Sequence, residues 1–392
     1  MSVVRPLVLA CVALLAACAE PAPPATPDTA VTASAPSTVP ATAVHDADTT
    51  AGAARSAVAP LYRQLHDFTV ACDNGLACEA IGVNDGAFGL VLRLSRAPGG
   101  DGAQRLQLGT ADGTPEPASL RLDGVAVPEL AVLPWRRDDD RAALTLDVPA
   151  DISAFIARVG NGARLSAGSG EDAPALSLSG LRAALLLIDE HQQRLDTPSA
   201  WARPGERDSA AVPGAPALPR VHAAPPPPAL SLQDATRLTV AVRMQAADAL
   251  READCASPGE GVDMRSQDAA YPLDAEHALV FVACLSGAYQ TSSLAFRAVR
   301  DGSGAARIVP PGPPGLDGTS SGFALLTNAD YAPDTATLSH FAKGRGLADC
   351  GEAAQWRYDG QAFQLAHYAE LRRCGGAAPG DFPTLWRTET AR

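Results

Sequence analysis

Hydrophobic and polar residues alternate in different ways along the chain, and its first residues carry the clearest pattern. Arg5 supplies a positive charge, and residues 6–17 then form an apolar run without any charge. A helix needs about 20 apolar residues to cross a hydrocarbon core about 30 Å thick, so this run is too short to span a membrane. A positive start before a short apolar run is typical of a signal peptide, which we predict over residues 1–18.

The apolar run ends in Leu15-Ala16-Ala17-Cys18, which resembles a lipobox. In a lipobox the cysteine thiol takes a diacylglyceryl group, and cleavage leaves that cysteine at the new N-terminus. The alternative is an ordinary signal peptide in which Cys18 is incidental. We favour lipidation of Cys18, because it lies at the end of the apolar run. Acyl chains, at about 0.8 kcal/mol per buried methylene, would then hold the protein firmly on a membrane. Ala19 follows where retained lipoproteins have Asp, so we expect an envelope protein on the outer membrane, facing the periplasm.

Two stretches without regular hydrophobic alternation divide the rest of the chain. Residues 19–57 are mainly Ala, Pro, Thr and Ser, which cannot bury enough apolar surface to order the chain, so we predict a disordered tether. Residues 204–228 end in four consecutive prolines and predict a stiff linker. Two domains follow from these breaks, over residues 58–203 and 229–392.

Within both domains the alternation favours short strands. In the first, a hairpin is expected around Asp73-Asn74-Gly75, with helices at 151–159, capped by Asp151, and at 181–194. In the second, Ser231 caps a helix reaching about residue 252, and a β-meander follows, open or sandwich-like. The sequence therefore predicts an α+β fold of two mostly antiparallel β domains with a few helices. Other strands are predicted at 89–95, 105–108, 119–122, 143–148, 176–178, 278–284, 293–299, 323–328, 337–342, 355–358 and 363–368.

The cysteines point to an oxidising compartment. Of eight, Cys11 lies in the leader and Cys18 at the anchor, and the remaining even number in an exported chain favours disulfides. Fifteen connectivities are possible for six cysteines. Sequential pairing is favoured, because two pairs each bracket a predicted hairpin turn, at Gly75 and at Asp359-Gly360. The predicted bonds are Cys72–Cys78, Cys350–Cys374 and, by remainder, Cys255–Cys284.

A metal site is the competing explanation for these thiols. The chain has no Cys-x-x-Cys pair, and the spacings do not match zinc fingers or ribbons. The histidines do not fall in a metal-binding pattern either, although His340 and His367 could meet across neighbouring strands. Asn328, Asp330 and Asp334 suggest calcium only weakly, because the twelve-residue loop with its glutamate is absent. We therefore predict no metal and no cofactor.

The net charge of the chain limits the classes of binding partner that we expect. At −13 the chain is acidic, and phosphate binding needs clustered Lys and Arg, so a nucleic-acid partner is not expected.

Several motifs resemble one bacterial family, catalogued as domain of unknown function 1176. The resemblance spans about residues 65–388, and for its members no reaction is assigned. The first domain also faintly resembles the invasion-associated locus B family, whose members are exported. The motifs that carry the first resemblance are Asp67-Phe68-Thr69-Val70, Cys72-Asp73-Asn74 and Cys78; Ile188-Asp189-Glu190, Gln192, Arg194 and Thr197; Cys284 and Gly287-Ala288-Tyr289; Lys343-Gly344-Arg345-Gly346, Asp349-Cys350-Gly351, Trp356, Asp359-Gly360 and Phe363; Cys374-Gly375 and Trp386-Arg387.

The chain departs from this family pattern at three positions. Members often have Gly where this chain has Gln193 and Ala348, and Asn where it has Gln290. These changes leave membership intact, and they weaken any claim that each motif position acts chemically.

Three constellations are candidates for chemistry. The segment Gly318-Thr319-Ser320-Ser321-Gly322 matches a nucleophile elbow, but a Pro-Gly loop precedes it and a strand follows, where the elbow needs a strand and then a helix. The second constellation is the polar end of the predicted helix, with Asp189, Glu190, Gln192 and Arg194. We favour a structural role at the helix C-terminus, where Arg194 complements the dipole. The alternatives are an acid–base pair formed by the two acids and a ligand-binding site.

Arg345 and Asp349 form the third constellation, in a glycine-rich turn. They are either a structural ion pair or a guanidinium that is presented to an anionic ligand.

Two functions remain. The first is a non-enzymatic envelope lipoprotein, held on the membrane by its lipid, that binds a protein, a glycan or another envelope component. The second is a periplasmic hydrolase with a site near Arg345 and Asp349 or near Asp189. We favour binding, because the sequence offers no complete set of nucleophile, base and orienting group.

Overall fold

The structure is a computed structural model that describes residues 58–84, 86, 88–111, 113–255, 264–316 and 322–390. The predicted leader, Cys18 and the predicted tether over residues 19–57 lie outside the described residues. All described residues belong to one compact unit, residues 54–392. Below, first half means residues 58–203 and second half means residues 229–390. The predicted domain boundaries at 203 and 229 stay a prediction.

The first half contains eleven strands and three helices among its described residues. In chain order they are β1 (Leu61–Leu65), β2 (Phe68–Cys72), β3 (Cys78–Gly82), β4 (Leu90–Arg96), β5 (Gln104–Thr110), β6 (Leu120–Leu122), β7 (Val125–Ala126), α1 (Pro128–Ala131), β8 (Arg136–Asp138), β9 (Ala143–Leu146), α2 (Pro149–Val159), β10 (Arg164–Ala167), β11 (Ala175–Ser177) and α3 (Leu181–His191).

The first of the remaining elements, β12 (Arg220–Val221), lies within the linker, and the others form the second half. These others are α4 (Leu232–Gln245), α5 (Ala247–Glu252), β13 (Ala269–Pro272), β14 (His277–Ser286), β15 (Thr291–Val299), β16 (Ala305–Ile308), β17 (Leu326–Thr327), β18 (Asp330–Ala332), β19 (Thr337–Lys343), β20 (Gly351–Tyr358), β21 (Phe363–Leu371), β22 (Thr384–Arg387) and β23 (Glu389–Thr390).

The first half is built on a seven-stranded antiparallel sheet in the order β1-β2-β3-β4-β5-β9-β8. Because side chains alternate across a strand, Leu90, Leu92 and Leu94 all point to one face. That face packs against α2, α3 and a four-stranded sheet, β11-β10-β6-β7, to form the largest core. Burying leucines on one face of each strand stabilises the fold by about 1.5–3 kcal/mol per side chain.

The second half is a sandwich of two antiparallel sheets, β13-β14-β15-β16 with β17 beside β15, and β18-β19-β20-β21-β22. Alternate residues of both sheets, such as Phe281 and Trp356, share one core. The other face of the β14–β15 sheet is covered by α4, through Leu238 and Val242.

The outer face of the seven-stranded sheet is covered by the second half. Ile81 and Val83 of the first half are packed with Leu371, Ala377 and Phe382 of the second. This explains why every residue of β2 is buried, a pattern expected of strands covered on both faces. The predicted linker is ordered as well, since β12 pairs in parallel with β23 at the chain end.

Most predicted elements are confirmed. The structure is mostly antiparallel β with few helices, so it is richer in strands than the predicted α+β class. The hairpin around Gly75 forms with Cys72 opposite Cys78, at a Cα separation of 4.0 Å. The other two predicted disulfides, Cys255–Cys284 and Cys350–Cys374, are also present.

Some helix and strand limits were wrong. Asp151 is not the cap of α2, because Pro149, whose φ suits the first turn, starts the helix after Val148. Helix α3 ends at His191, before Arg194, because Gln193 has a φ of +56°. The helix predicted after Ser231 ends at Gln245, and α5 follows it.

The strand predicted at 323–328 forms only at Leu326–Thr327. The Phe323 ring instead packs edge-on against Trp356 at 4.9 Å between centroids.

None of the helices in the described part of the chain is long and apolar enough to cross a membrane.

Candidate functional site

The first predicted constellation lies in the interior, at the end of α3. The carboxylate of Asp189 is fully buried and accepts hydrogen bonds from the backbone N–H groups of Trp201 (3.0 Å) and Ala202 (2.7 Å). Its third partner is the guanidinium of Arg96, at 3.1 Å. These bonds tie the helix end to the loop that follows it.

Gln192 and Arg194 complete this internal network. The Arg194 guanidinium donates to Gln192 Oε1 (2.9 Å) and to the carbonyls of Ala97 (2.9 Å) and Gly99 (2.6 Å). The Gln192 amide donates to the Leu76 carbonyl at 2.7 Å. A left-handed residue at Gln193 turns the chain so that Arg194 points back into the protein. All three predicted residues are brought together here, and their polar atoms are used within the protein.

Arg96 was missed by the sequence interpretation. It lies 3.5 Å from the centroid of the Trp201 ring, and its Nε and Nη2 atoms have no partner among the described residues. Burial, with the nearby charge of Arg194, lowers the pKa of Arg96 to about 9. The signal was present, because Arg96 continues the inward-facing series of Leu90, Leu92 and Leu94.

The second predicted constellation lies where the two halves meet. Arg345 Nε donates to Asp349 Oδ1 at 2.7 Å, and Arg345 Nη2 donates to Asp349 Oδ2. The backbone N–H of Gly376 donates to Asp349 Oδ2 at 2.7 Å, and Arg345 Nη1 reaches the Gly86 carbonyl at 3.2 Å. The structure therefore confirms that these two residues form an ion pair, and the pair joins both halves.

The hydrogen bonds and the nearby positive charge around Asp349 keep its carboxylate ionised. Burial disfavours the ionised carboxylate, but the bonds from Arg345 and from Gly376 outweigh that effect, so the pKa of Asp349 lies below its ordinary value. The same pairing raises the pKa of Arg345. Asp349 is therefore an ionised acceptor near neutral pH, and both its oxygens are occupied.

A cleft of about 330 Å³ opens beside Asp349, and we call it the inter-half cleft. Its floor is the outer face of β4, β5 and β9, and its opposite wall comes from the second half. Two large apolar side chains lie exposed at its edges, Phe88 (54% exposed) from the first half and Leu347 (51%) from the second. The remaining lining residues are Val91, Arg93, Gln107, Gly109, Thr110, Ala111, Asp140, Arg141, Ala142, Ala143, Asp349, Gly376, Ala377, Ala378, Pro379 and Asp381.

A network of charged side chains joins the two halves at one end of the cleft. Arg93 Nη1 donates to Asp381 (3.3 Å) and to Glu79 (3.0 Å), and Arg141 Nη1 donates to Asp381 at 2.8 Å. Burial raises the pKa of Glu79, against the lowering effect of Arg93. Since Asp381 belongs to the second half and the two arginines to the first, this network also sets the width of the cleft.

Gln107 is the unusual residue of the cleft. It is 9% exposed, lines the floor, and its amide has no hydrogen-bond partner among the described residues. Thr145, directly opposite on β9, is 3% exposed, and its Oγ1 likewise has no described partner. A buried hydroxyl without a partner costs about 1–3 kcal/mol, and that cost applies to Thr145. The amide of Gln107 instead reaches the open cleft, where water or a bound molecule can complete its hydrogen bonding.

Only part of this cleft could be predicted from the amino-acid sequence. The alternation of Leu106 and Leu108 already predicts that Gln107 points to the other face of the sheet. No local sequence pattern indicates that the second half covers this face. The sequence therefore does not distinguish Gln107 from an ordinary solvent-facing side chain.

Potential metal ligands cluster in two places among the described residues. One cluster is Cys72, Cys78 and His191, and the other is Asp349, Cys350 and Cys374. In both clusters the cysteines form disulfides, so no thiolate is free to bind a metal.

His340 and His367 do not meet, because the strand register places Ala354 and then Tyr368 in line with His340. Asn328, at the weakly suggested calcium site, donates its amide to the Phe341 carbonyl. Residues 318–321 of the elbow-like segment lie outside the described residues.

Comparisons with known proteins show which family this chain belongs to. Residues 62–389 match the sequence profile described as "Protein of unknown function (DUF1176)". The chain belongs to the DUF1176 family. It is 33% identical over 344 residues to "Uncharacterized protein YpfG" of Escherichia coli strain K12, and the match covers 84% of this chain and 94% of that relative. No solved structure matches the chain.

The structure gives the DUF1176 motifs a common role. Asn74, in the first motif, exchanges two hydrogen bonds of 2.9 Å with the backbone of Arg387, in the last one. Asp73 accepts a further bond from the Arg387 side chain. The motif residues at the two ends of the family match therefore clamp the first half to the second.

Two of the three departures from the DUF1176 pattern also have a physical meaning. Gln193 and Ala348, where members often have Gly, both have a φ of +56°. This is the left-handed region, which glycine enters without strain. At the third departure, Gln290 keeps an amide contact with the backbone of Lys343, accepting from its N–H at 3.0 Å.

Proposed function

We propose that this protein is an exported lipoprotein, anchored through Cys18, that binds a component of the cell envelope in the inter-half cleft. The unpartnered amide of Gln107 on the floor of that cleft is the observation that carries the binding part. An amide offers both a donor and an acceptor, so a bound molecule that supplies both recovers the hydrogen bonds that the protein leaves unmade.

The walls of the cleft support the same proposal. Most of the lining is apolar and a few polar groups converge on it, which is the usual composition of a ligand site. The exposed Phe88 and Leu347 at its edges add apolar surface that a ligand would cover.

A hydrolase is less well supported at the two places where the sequence allowed one. A general base needs a free oxygen within reach of a substrate. Both oxygens of Asp349 already accept bonds, from Arg345 and from Gly376, and Asp189 is fully buried with three donors around it.

Site-specific photocrosslinking tests the binding proposal in cells that make the full-length protein. A benzophenone amino acid replaces Phe88 at the edge of the cleft, or Val132, which is 81% exposed and does not line it. We expect a crosslinked envelope component from position 88 that disappears when Gln107→Leu is added. Equal crosslinking from position 132, or no effect of Gln107→Leu, would contradict a binding cleft.

Metabolic labelling with a fatty acid tests the anchor. Full-length wild type should incorporate the label and sediment with membranes, and Cys18→Ala should do neither, because no other residue replaces the lipobox thiol. Cys11→Ala is the matched control and should still be labelled, because Cys11 lies within the leader. Unlabelled wild-type protein recovered in the soluble fraction would refute the anchor.

A further inference from the structure

The inter-half cleft adjoins a second pocket of about 270 Å³, because Phe88 and Thr110 line both spaces. The second pocket in turn shares Arg164 and Glu171 with a third, of about 410 Å³. We call the three together the extended groove. Each pocket is at the small end of the range for ligand sites, so only an elongated molecule would fill the series.

The three pockets differ in chemistry along the groove. The inter-half cleft is mostly apolar, and small side chains such as Ala143 and Ala377 line it together with Gln107. The second pocket is lined mainly by polar groups, among them Arg164, Glu171 and Asp172. The exposed ring of Phe88 lies between the two pockets.

Several polar side chains along the groove make no hydrogen bond or ion pair with the described residues. The side chains of Arg164, Glu171 and Asp172 are exposed and make no hydrogen bond or ion pair with the described residues. In the third pocket, Arg121 Nε is buried and also has no described partner. Donors and acceptors are thus mixed at short intervals, and a hydroxyl group can satisfy either kind.

An extended peptide fits this groove less well. Peptides commonly bind by adding a strand to an open sheet edge. On the floor, β5 lies between β4 and β9, so its edges are already paired. At the edge strand β11, the Asn84 amide already binds the Ala175 carbonyl (2.6 Å) and the Ser177 N–H (3.1 Å).

We infer that the extended groove binds a linear oligosaccharide and that the inter-half cleft takes the acetamido group of an N-acetylamino sugar. This inference rests on the proposed function of the cleft and names the class of its ligand. The methyl group packs against the small apolar side chains, while its amide N–H and carbonyl pair with Gln107. The ring face lies on Phe88, and the hydroxyls of the next sugars meet Arg164, Glu171 and Asp172.

Calorimetric titration of the full-length protein in detergent tests this assignment with defined probes. Oligomers of β-1,4-linked N-acetylglucosamine, from one to six units, are compared with glucose oligomers of the same linkage and length. We expect affinity to rise at least tenfold from one unit to four, and the glucose series to bind at least tenfold more weakly at every length.

Two variants assign the pockets. Gln107→Leu should weaken every N-acetylglucosamine oligomer at least tenfold, and Arg164→Ala should weaken only the longer ones, because the single sugar does not reach the second pocket. The matched controls are Gln355→Leu, an exposed strand glutamine outside the groove, and Arg158→Ala, a half-buried arginine on α2 that lies near Glu129 and does not line the groove. Neither control should change any affinity.

Each other outcome is equally decisive. Equal binding of the two sugar series would overturn the acetamido assignment, and affinity independent of length would overturn the extended groove. Tighter binding of alanine oligopeptides than of either sugar would assign the groove to a peptide. If none of these probes binds while position 88 still crosslinks in cells, the oligosaccharide inference is wrong and the binding cleft remains.

Discussion

Two arginine–aspartate pairs in this protein have the same chemistry and opposite surroundings. Arg96 and Asp189 are both fully buried inside the first half, whereas the side chain of Arg345 is 28% exposed beside an Asp349 that is 3% exposed. In both pairs the carboxylate also accepts backbone N–H groups, which hold a loop in place. The first pair fixes one core, and the second joins two halves of the molecule.

The comparison separates residues that stabilise the fold from residues that are available to bind a ligand. Asp189, Arg345 and Asp349 all belong to the family motifs, and all three are engaged in holding the protein together. Gln107 and Phe88 belong to no motif, and they have the unused hydrogen bonds and the exposed ring. In this chain the motif residues build the frame of the cleft, and residues outside the motifs supply its binding groups.

The largest effect should come from breaking the buried pair. Asp189→Ala leaves the buried guanidinium of Arg96 without its carboxylate and should lower the free energy of unfolding by about 3–5 kcal/mol. Urea titration of the full-length protein measures it. The matched control is Asp196→Ala, whose carboxylate pairs with Arg203 at the surface and should matter by less than about 1 kcal/mol. Equal losses from the two variants would show that Asp189 is not a structural anchor.

These two pairs also show what the sequence could and could not reveal. Arg345 and Asp349 are four residues apart in a glycine-rich turn, so their pairing was predicted from local geometry. The partner of Asp189 is 93 residues away, and no local pattern links it to Arg96. The disulfides were predictable for a similar reason, since two of them close hairpins whose turns are visible in the sequence.

The cleft could not be predicted, because it requires the packing of distant segments. Gln107 on β5 and Asp349 in the second half line the same space only because the second half covers the outer face of the first sheet. Strand alternation shows which face Gln107 occupies, but the same alternation is expected for a face open to water.

A smaller effect should come from breaking the pair that joins the halves. Arg345→Ala removes a partly exposed partner, so the expected loss lies between surface and buried pairs, at about 1–3 kcal/mol. Since the pKa of Asp349 is lowered in the folded protein, its ionised form contributes stability above the ordinary aspartate pKa of about 4. That contribution should disappear as the pH falls below 4 toward the folded value.

Urea titrations of wild type and Arg345→Ala from pH 7 to pH 3 measure this dependence. The difference in unfolding free energy between the two proteins should be constant near neutral pH and shrink below pH 4. Arg203→Ala, at the exposed pair, is the control and should differ little from wild type throughout. A difference that grows as the pH falls would mean that Asp349 is stabilised in its protonated form.

The smallest effect has the opposite sign and tests both regions together. Gln193 follows the helix that holds Asp189, and Ala348 precedes Asp349, and each has a φ of +56°. The left-handed conformation costs a residue with a Cβ about 1–2 kcal/mol, and the extra freedom of unfolded glycine returns about 0.5–1 of it. Gln193→Gly, at an exposed position, should therefore raise the unfolding free energy by about 0.5–1 kcal/mol. Ala348→Gly should stay close to neutral, because Ala348 is buried and the lost methyl group costs about 0.8 kcal/mol. Ala157→Gly, at an exposed position in the interior of α2, is the control and should lose about 1 kcal/mol. A loss at position 193 or 348 as large as this control's would show that the side chain there contributes more through its contacts than its backbone strain costs.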